Sequence, residues 1–135
     1  MNNTPVFLYV EDDPYSIKVM KSIFEKILHI DTLVIFQGSE NFMENLLALD
    51  SKPGVFLLDI QMKPHNGFEL LNMVRASRHF HKSKVVALTA SVMGEEIDRL
   101  KSSGFDGAIS KPINIASFPS LIARILEGEN IWFIS

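Results

Sequence analysis

The chain contains 135 residues, of which 47% are hydrophobic and 21% are charged, and its formal net charge is −3. This composition is typical of one folded domain and excludes a collagen-like, coiled-coil or wholly disordered chain. The absence of cysteine excludes a disulfide framework, a thiolate zinc site and a cysteine nucleophile. The mildly acidic balance, without a cluster of lysine and arginine, argues against binding of nucleic acid.

The sequence carries no membrane or export signal. Its apolar runs are far shorter than the roughly 20 residues that a membrane-spanning helix needs. The N-terminus lacks a basic segment and soon reaches Glu11, Asp12 and Asp13, which is unlike a signal peptide. We therefore expect a cytoplasmic protein. Since no linker or repeat divides the chain, we expect residues 1–135 to form one domain without an effector domain.

Five short apolar runs predict the strands of a parallel sheet that is buried on both faces. They are residues 6–10, 32–36, 54–58, 84–88 and 107–109. Each run is followed by a segment with apolar residues three and four positions apart, which predicts five helices. The residues that predict helix ends are Asp13 and Pro14 before the first helix, Ser39 before the second, Asn66 with Glu69 at the third, Gly104 after the fourth and Pro119 in the first turn of the fifth.

The alternation of strands and helices predicts an α/β fold. Right-handed crossovers leave few topologies, and the doubly wound strand order 2-1-3-4-5 is the common one for a chain of this length. We therefore predict a flavodoxin-like (βα)5 sandwich with a five-stranded parallel sheet. An eight-unit barrel would need about 250 residues and is excluded.

Polar residues follow four of the predicted strands, at the edge of the sheet where ligands bind in open α/β folds. Glu11 and Asp12 follow the first strand, and Asp59 follows the third. Thr89 follows the fourth strand, and Lys111 follows the fifth. The predicted strand order brings these side chains together, and clustered carboxylates repel one another unless a cation neutralises them. The sequence therefore predicts a site for a hard divalent cation, Mg²⁺ with Mn²⁺ as a second candidate.

A site of this kind suits phosphoryl transfer. Asp59 could be the nucleophile toward a phosphoryl group, while Thr89, Lys111 and the metal would stabilise the charge on its oxygens. Each residue also has a simpler explanation, because acids are common in turns after strands, a threonine can bond to the backbone and a lysine can be solvated. Their joint placement at one edge of the sheet favours the site.

Four short segments of the sequence carry a resemblance to a known family. They are Val-Glu-Asp-Asp-Pro at residues 10–14, Leu-Leu-Asp-Ile-Gln-Met at 57–62, Leu-Thr-Ala at 88–90 and Ser-Lys-Pro at 110–112. Gly67 also lies eight residues after Asp59. In these segments and their spacing, over essentially its whole length, the chain resembles the receiver domain of bacterial two-component response regulators.

The resemblance implies a role for each residue of the predicted site. Asp59 would accept a phosphoryl group from a histidine kinase or a histidine phosphotransfer protein. Thr89 and Lys111 would bind that group, and Pro112 would follow a cis peptide bond. The implied ligands of Mg²⁺ are Glu11, Asp12, Asp59 and the backbone carbonyl of Gln61. Such a domain is a phosphoacceptor that assists its own phosphorylation and dephosphorylation, and is not an enzyme that acts on a separate substrate.

Two positions depart from the family pattern. The proline that usually follows the methionine of the acceptor loop is displaced by one residue, to Pro64, and we expect a slightly altered loop with intact chemistry. The aromatic residue that the family usually places three positions before the lysine is Ala108 here. Because a methyl group cannot switch between buried and exposed positions, the sequence leaves open how phosphorylation is read out.

Three other interpretations share parts of this pattern. A metal-dependent phosphatase with an aspartate nucleophile usually has a second aspartate two residues later, where this chain has Gln61, and it also needs cap insertions. A flavodoxin needs a loop of small residues for phosphate where this chain has three acids. A degenerate receiver that acts only as a protein-binding module stays the alternative function, although such receivers usually lack an acid or the lysine that this chain keeps.

The expected partners follow from the same interpretation. They are a histidine kinase or histidine phosphotransfer protein and an unknown downstream protein, with no nucleic acid and no membrane, and a homodimer is left open. The apolar sequence Ile-Trp-Phe-Ile at residues 131–134 is too hydrophobic for a free tail. We expect it to pack back onto the domain.

Overall fold

A parallel β-sheet forms the centre of the molecule, with six strands within the residues that the structure describes. The computed structural model describes residues 4–91 and 93–133, with the backbone alone for residue 133. The predicted order of the first five strands is confirmed, and the prediction of a five-stranded sheet was wrong by one strand. The strands are β1 (Val6–Val10), β2 (Leu33–Phe36), β3 (Pro53–Asp59), β4 (Lys84–Thr89), β5 (Gly107–Ser110) and β6 (Ile131–Phe133). They lie in the order β2-β1-β3-β4-β5-β6.

Five α-helices connect the strands within the described residues. They are α1 (Pro14–Ser22), α2 (Phe42–Leu47), α3 (Gly67–Ala76), α4 (Gly94–Ser103) and α5 (Phe118–Leu126), and α1 continues into a π-helical segment, Ile23–Leu28. Most of the predicted ends are confirmed. The Asp13 side chain accepts a hydrogen bond from the backbone N–H of Ser16 at 3.0 Å, Asn66 and Glu69 form a capping box, Gly104 ends α4 with a φ of 106° and Pro119 lies in the first turn of α5.

The sheet is buried on both faces because successive side chains of each strand point to opposite sides. Leu8 and Val10 of β1 belong to a core formed with α2, α3 and α4. Phe7 and Tyr9 belong to the opposite core, formed with α1 and α5. The absence of polar alternation in the strands is a consequence of this double coverage.

The predicted N-cap of α2 was wrong. The residue before α2 is Asn41, with a φ of 54°, and its side chain makes no capping hydrogen bond. Ser39 is fully buried, and its hydroxyl accepts a hydrogen bond from the backbone N–H of His65 at 2.9 Å. Ser39 therefore ties the loop after β2 to the loop after β3 instead of capping a helix.

The apolar C-terminal segment forms the sixth strand, which pairs with β5. Ile131 is buried and Trp132 packs against the core of α2, α3 and α4, so the prediction that this segment packs onto the domain is confirmed for these two residues. Ile134 lies outside the described residues. Gly107 permits the close approach of the strands, since a Cβ there would collide with the backbone of Ile131. The turn before β6 is held by Lys84, whose ammonium donates to the Gly128 carbonyl at 2.9 Å.

A membrane-spanning helix would have to be longer and more apolar than any helix within residues 4–91 and 93–133.

A polar network fixes the register of β5 against β4 at the edge of the sheet opposite to the predicted site. Asp106 donates its backbone N–H to the Val85 carbonyl at 2.8 Å, and its carboxylate accepts from the Val85 N–H at 2.8 Å. Arg75 pairs with the same carboxylate at 2.7 Å and donates to the carbonyls of Ser83 and Gly104 at 2.7 and 3.1 Å. This register places the far ends of β4 and β5 side by side, where the predicted site residues lie.

We expect Asp106→Ala to lower the free energy of unfolding by about 2 kcal/mol, because it leaves the Val85 N–H and the Arg75 guanidinium without their carboxylate partner. Urea denaturation measures the change. Asp98→Ala, at an exposed position on α4, is the matched control and should change the value by less than about 0.5 kcal/mol. Equal effects of the two substitutions would contradict a structural role for the network.

Candidate functional site

Polar residues at the carboxyl ends of β1, β3, β4 and β5, either the last residue of the strand or those directly after it, line one cleft at this edge of the sheet. The cleft has a volume of about 620 Å³, and its lining includes Glu11, Asp12, Asp59, Thr89 and Lys111. All five candidate side chains from the sequence are thus brought together. Gln61 also lines this cleft, and a ligand role for its backbone carbonyl stays a prediction.

Three carboxylates form the centre of the cleft. One oxygen from each of Glu11, Asp12 and Asp59 lies within 4.8 Å of the others. Glu11 and Asp59 are buried, with 1% and 5% of their surface exposed, whereas Asp12 is exposed. Asp13 is next in the chain but is engaged as the cap of α1. The cluster therefore has two buried acids and one that faces solvent.

Lys111 bridges the two buried acids. Its ammonium donates to Glu11 Oε1 and to Asp59 Oδ1, each at 3.1 Å. The lysine is placed by its own backbone, whose N–H donates to the Thr89 carbonyl at 2.8 Å. The Lys111–Pro112 peptide bond is cis, as the resemblance implied.

The Thr89 hydroxyl is engaged with its own loop. It donates to the Ser91 carbonyl at 3.2 Å and accepts from the Ser91 N–H at 3.1 Å. Thr89 is the last residue of β4 and is mostly buried. In this state the hydroxyl lines the cleft while it holds the turn after β4.

The loop after Asp59 is held close to the strand by a glycine. Gly67 donates its backbone N–H to the Ile60 carbonyl at 2.9 Å, and a Cβ at position 67 would lie 2.8 Å from the Asp59 carbonyl oxygen. A side chain there would push α3 away from the site, which explains the glycine in the sequence. The displaced Pro64 lies in this loop after a cis peptide bond.

Burial and charge shift the pKa values of the cluster. Burial, followed by the negative charge of Glu11, raises the pKa of Asp59 to about 6, although Lys111 acts in the opposite direction. Burial alone would lower the pKa of Lys111, but the charges and hydrogen bonds of Asp59 and Glu11 raise it above its ordinary value. The lysine therefore stays charged, and it does not fully offset the repulsion between the acids.

The residues of the cluster fit a hard divalent cation. The cluster holds three carboxylates, and its two buried members pair with one ammonium, that of Lys111, so two negative charges have no counterion among the residues that the structure describes. All the side-chain donors are oxygens, and the exposure of Asp12 leaves access for water. This combination suits Mg²⁺, which prefers oxygen ligands and keeps several waters.

Tyr9 also contributes to the site, which the sequence did not predict. Its hydroxyl donates to Glu11 Oε1 at 2.9 Å, and both side chains are buried. Burial, followed by the charge of Glu11, raises the pKa of Tyr9 above its ordinary value. The apolar run at residues 6–10 predicts only a buried strand at Tyr9. The spacing of Tyr9 and Glu11 could have indicated their contact, since residues two positions apart on a strand share a face.

Ala108 lies fully buried in β5. Its partner across the pairing of β5 with β6 is Trp132, and the Lys101 ammonium lies 5.2 Å from the centre of that ring. The aromatic ring beside position 108 therefore comes from β6, a strand that the sequence did not predict.

Comparison with known proteins relates the chain to response regulators. The model of the response regulator receiver domain matches residues 7–123. The polar-differentiation response regulator DivK of Brucella anthropi is 28% identical over 120 residues, which cover 88% of this chain and 94% of DivK. Its counterpart in Brucella ovis is 27% identical over 123 residues, which cover 91% of this chain and 97% of that protein.

Solved structures match the fold. The receiver domain of a histidine kinase from Syntrophus aciditrophicus has a TM-score of 0.78 at 22% identity, covering 93% of this chain and 92% of that one. The phosphorylated cyanobacterial phytochrome response regulator RcpA has a TM-score of 0.75 at 20% identity, covering 91% of each chain. These matches confirm the flavodoxin-like architecture of the first five strands.

We expect Asp59→Asn to stabilise the metal-free protein. The Asp59 carboxyl has a pKa of about 6 in the folded state and an ordinary value of 3.8. Ionisation of this carboxyl therefore lowers the free energy of unfolding as the pH rises through these two values. The amide removes this penalty. The gain in unfolding free energy should be roughly 2 kcal/mol at pH 8, shrink as pH falls through 6 and disappear below about pH 4.

Urea denaturation in the presence of a chelator, repeated across this pH range, measures the difference. Asp98→Asn replaces an exposed aspartate on α4 and should give no comparable gain. A loss of stability in Asp59→Asn at pH 8 would mean that the ion pair with Lys111 outweighs the repulsion from Glu11.

Proposed function

The chain belongs to the response regulator receiver domain family, and from this premise we propose that it accepts a phosphoryl group on Asp59 from a histidine kinase or a histidine phosphotransfer protein. Phosphorylation would then change its interaction with a downstream protein. The observation that carries the proposal is the position of Asp59, a buried carboxylate within 4.8 Å of two other acids and bonded to a lysine.

The transfer step needs no further reactant. A carboxylate oxygen of Asp59 attacks the phosphorus of the donor's phosphoimidazole, and an O–P bond forms as the N–P bond breaks. The electron pair of the broken bond returns to the imidazole nitrogen. The product is an acyl phosphate on Asp59.

Glu11, Asp12, Asp59 and the backbone carbonyl of Gln61 are the proposed ligands of Mg²⁺. Bound there, the ion would supply positive charge for the oxygens of the transferring phosphoryl group. The support for this assignment is the uncompensated negative charge of the three carboxylates. Asp12 is the one exposed carboxylate of the three, so a hydrated cation would contact it before it reaches the buried Glu11 and Asp59.

Lys111 and Thr89 would hold the phosphoryl group once it is attached. The Lys111 ammonium already contacts the Asp59 carboxylate, so a small movement lets it pair with a phosphoryl oxygen. Thr89 would exchange its bonds to Ser91 for a bond to another oxygen of the group. That exchange would alter the turn after β4 and so connect the chemistry to the surface of the domain.

We propose that the domain signals as a phosphoacceptor and does not turn over a separate substrate. Ala108 offers no aromatic side chain to follow a movement of Thr89, so the change would reach the surface through the loop before α4. The rival proposal is a receiver that binds its partner without phosphate. Glu11, Asp12, Asp59 and Lys111 line the cleft, and the presence of all four residues that the proposed chemistry uses argues against this rival.

Phosphorylation with acetyl phosphate tests the proposal directly. The protein is incubated with acetyl phosphate, with and without Mg²⁺, and its intact mass is measured. We expect one phosphoryl adduct that requires Mg²⁺ and is absent from Asp59→Asn, because the amide is not a nucleophile. Asp98→Asn, which removes an exposed carboxylate on α4, should be labelled like the unsubstituted protein.

Labelling of Asp59→Asn at the native rate would contradict the assignment of the nucleophile. If the folded protein gives no adduct with acetyl phosphate, the assay is repeated with phosphorylated histidine kinases and phosphotransfer proteins. Failure with both kinds of donor would overturn the proposal in favour of a phosphate-independent binding module.

A further inference from the structure

Tyr9 and Glu11 lie two positions apart in the sequence, at the end of β1. Side chains with this spacing point to the same face of a strand, here the face covered by α1 and α5. The tyrosine ring is 1% exposed, and its neighbours in register are Ile35 on β2 and Leu57 on β3. The hydroxyl is therefore held in a fixed place by the packing of the ring.

The two oxygens of the Glu11 carboxylate have different surroundings. Oε1 accepts from the Tyr9 hydroxyl at 2.9 Å and from the Lys111 ammonium at 3.1 Å. Oε2 accepts from the Asp13 N–H at the longer distance of 3.3 Å. The first oxygen is occupied by two donors, and the second is the one with capacity left for a cation.

A glutamate needs such a restraint more than an aspartate would, because its side chain has one more rotatable bond. Without the Tyr9 hydroxyl, the carboxylate could turn and present both oxygens to Lys111. That arrangement would draw Oε2 away from Asp12 and Asp59, and it would also draw the lysine away from Asp59. The hydroxyl removes this alternative by holding Oε1.

We propose that Tyr9 is a positioning residue, whose hydroxyl fixes Glu11 so that the site binds a divalent cation more tightly. This inference rests on the proposed function, which places Mg²⁺ among Glu11, Asp12 and Asp59. The inference goes beyond the proposed function because it assigns part of the cation affinity to Tyr9, a side chain that is not among the proposed ligands of the metal.

A role in packing alone makes a different prediction. Tyr9→Phe keeps the ring between β1 and the helices and removes one oxygen atom. If the tyrosine only fills the core, the substitution changes stability and leaves cation affinity unchanged. If it positions Glu11, cation affinity falls in a protein that is still folded.

The test is direct titration with Mn²⁺, followed by electron paramagnetic resonance of the free ion, which requires no phosphoryl donor. We expect Tyr9→Phe to bind Mn²⁺ about tenfold more weakly than the unsubstituted protein, since outer partners of metal ligands have effects of this size. Tyr15→Phe makes the same chemical change at an exposed position of α1 and should bind normally. Urea denaturation confirms that both variants are folded.

Kinetics give a second measurement that a packing role would not reproduce. In phosphorylation by acetyl phosphate, the Mg²⁺ concentration for half-maximal rate should rise by the same factor in Tyr9→Phe. The rate at saturating Mg²⁺ should stay close to that of the unsubstituted protein, because a bound cation would itself hold Glu11 and so leave Lys111 to pair with Asp59.

A double-substitution cycle isolates the contact between the two side chains. Glu11→Asp draws the carboxylate back from the Tyr9 hydroxyl, so adding Tyr9→Phe to it should cause no further loss of Mn²⁺ affinity. Should Tyr9→Phe fail to fold, Tyr9→Met takes its place, since it also removes the hydroxyl that holds Glu11 and fills the core with another apolar side chain; we expect it to bind Mn²⁺ more weakly as well.

The remaining outcomes overturn the inference. They are unchanged or tighter Mn²⁺ binding by Tyr9→Phe, or by Tyr9→Met where it replaces that variant, and an equal loss when Tyr9→Phe is added to Glu11→Asp. Absence of Mn²⁺ and Mg²⁺ binding by the unsubstituted protein would overturn the metal site of the proposed function as well. The two failures are therefore distinguishable.

Discussion

Lys111 divides one ammonium group between two buried carboxylates, and the arrangement of the site depends on this shared ion pair. Burying Glu11 and Asp59 side by side is unfavourable because burial removes their hydration and because their charges repel, and the raised pKa of Asp59 reflects both costs. The lysine lowers the repulsion without removing it. The cluster therefore keeps the negative charge and the oxygen ligands that a divalent cation needs. Asp59 also keeps Lys111 as a hydrogen-bond partner, which could pair with a phosphoryl group once one is attached.

Contacts outside the cleft fix the positions of Glu11, Asp59 and Lys111. The two cores fix the strands on both faces, and Asp106 with Arg75 fixes the register of β5 on β4 at the opposite edge. That register puts the Lys111 N–H on the Thr89 carbonyl. A lysine and a carboxylate more than fifty positions apart in sequence therefore meet through the pairing of neighbouring parallel strands.

Much of this arrangement was predictable because parallel strands leave strong patterns. Continuous apolar runs predicted five strands, their order brought four strand ends together, and the residues after those ends predicted the cluster. The sequence failed where long-range contacts decide the structure. Ser39 has the chemistry of a cap but bonds to the His65 N–H, and the three residues of β6 are too few to show a strand period. Tyr9 reads as a core residue until its hydroxyl is placed against Glu11.

A crystal structure of the protein with Mg²⁺ and beryllofluoride, a stable analogue of a phosphoryl group, would test the central claim most directly. We predict that beryllium is bonded to a carboxylate oxygen of Asp59, that the cation contacts Glu11 and Asp12, and that the Lys111 ammonium pairs with a fluorine atom. Binding of the cation outside this cluster, or of the analogue at another residue, would contradict the account.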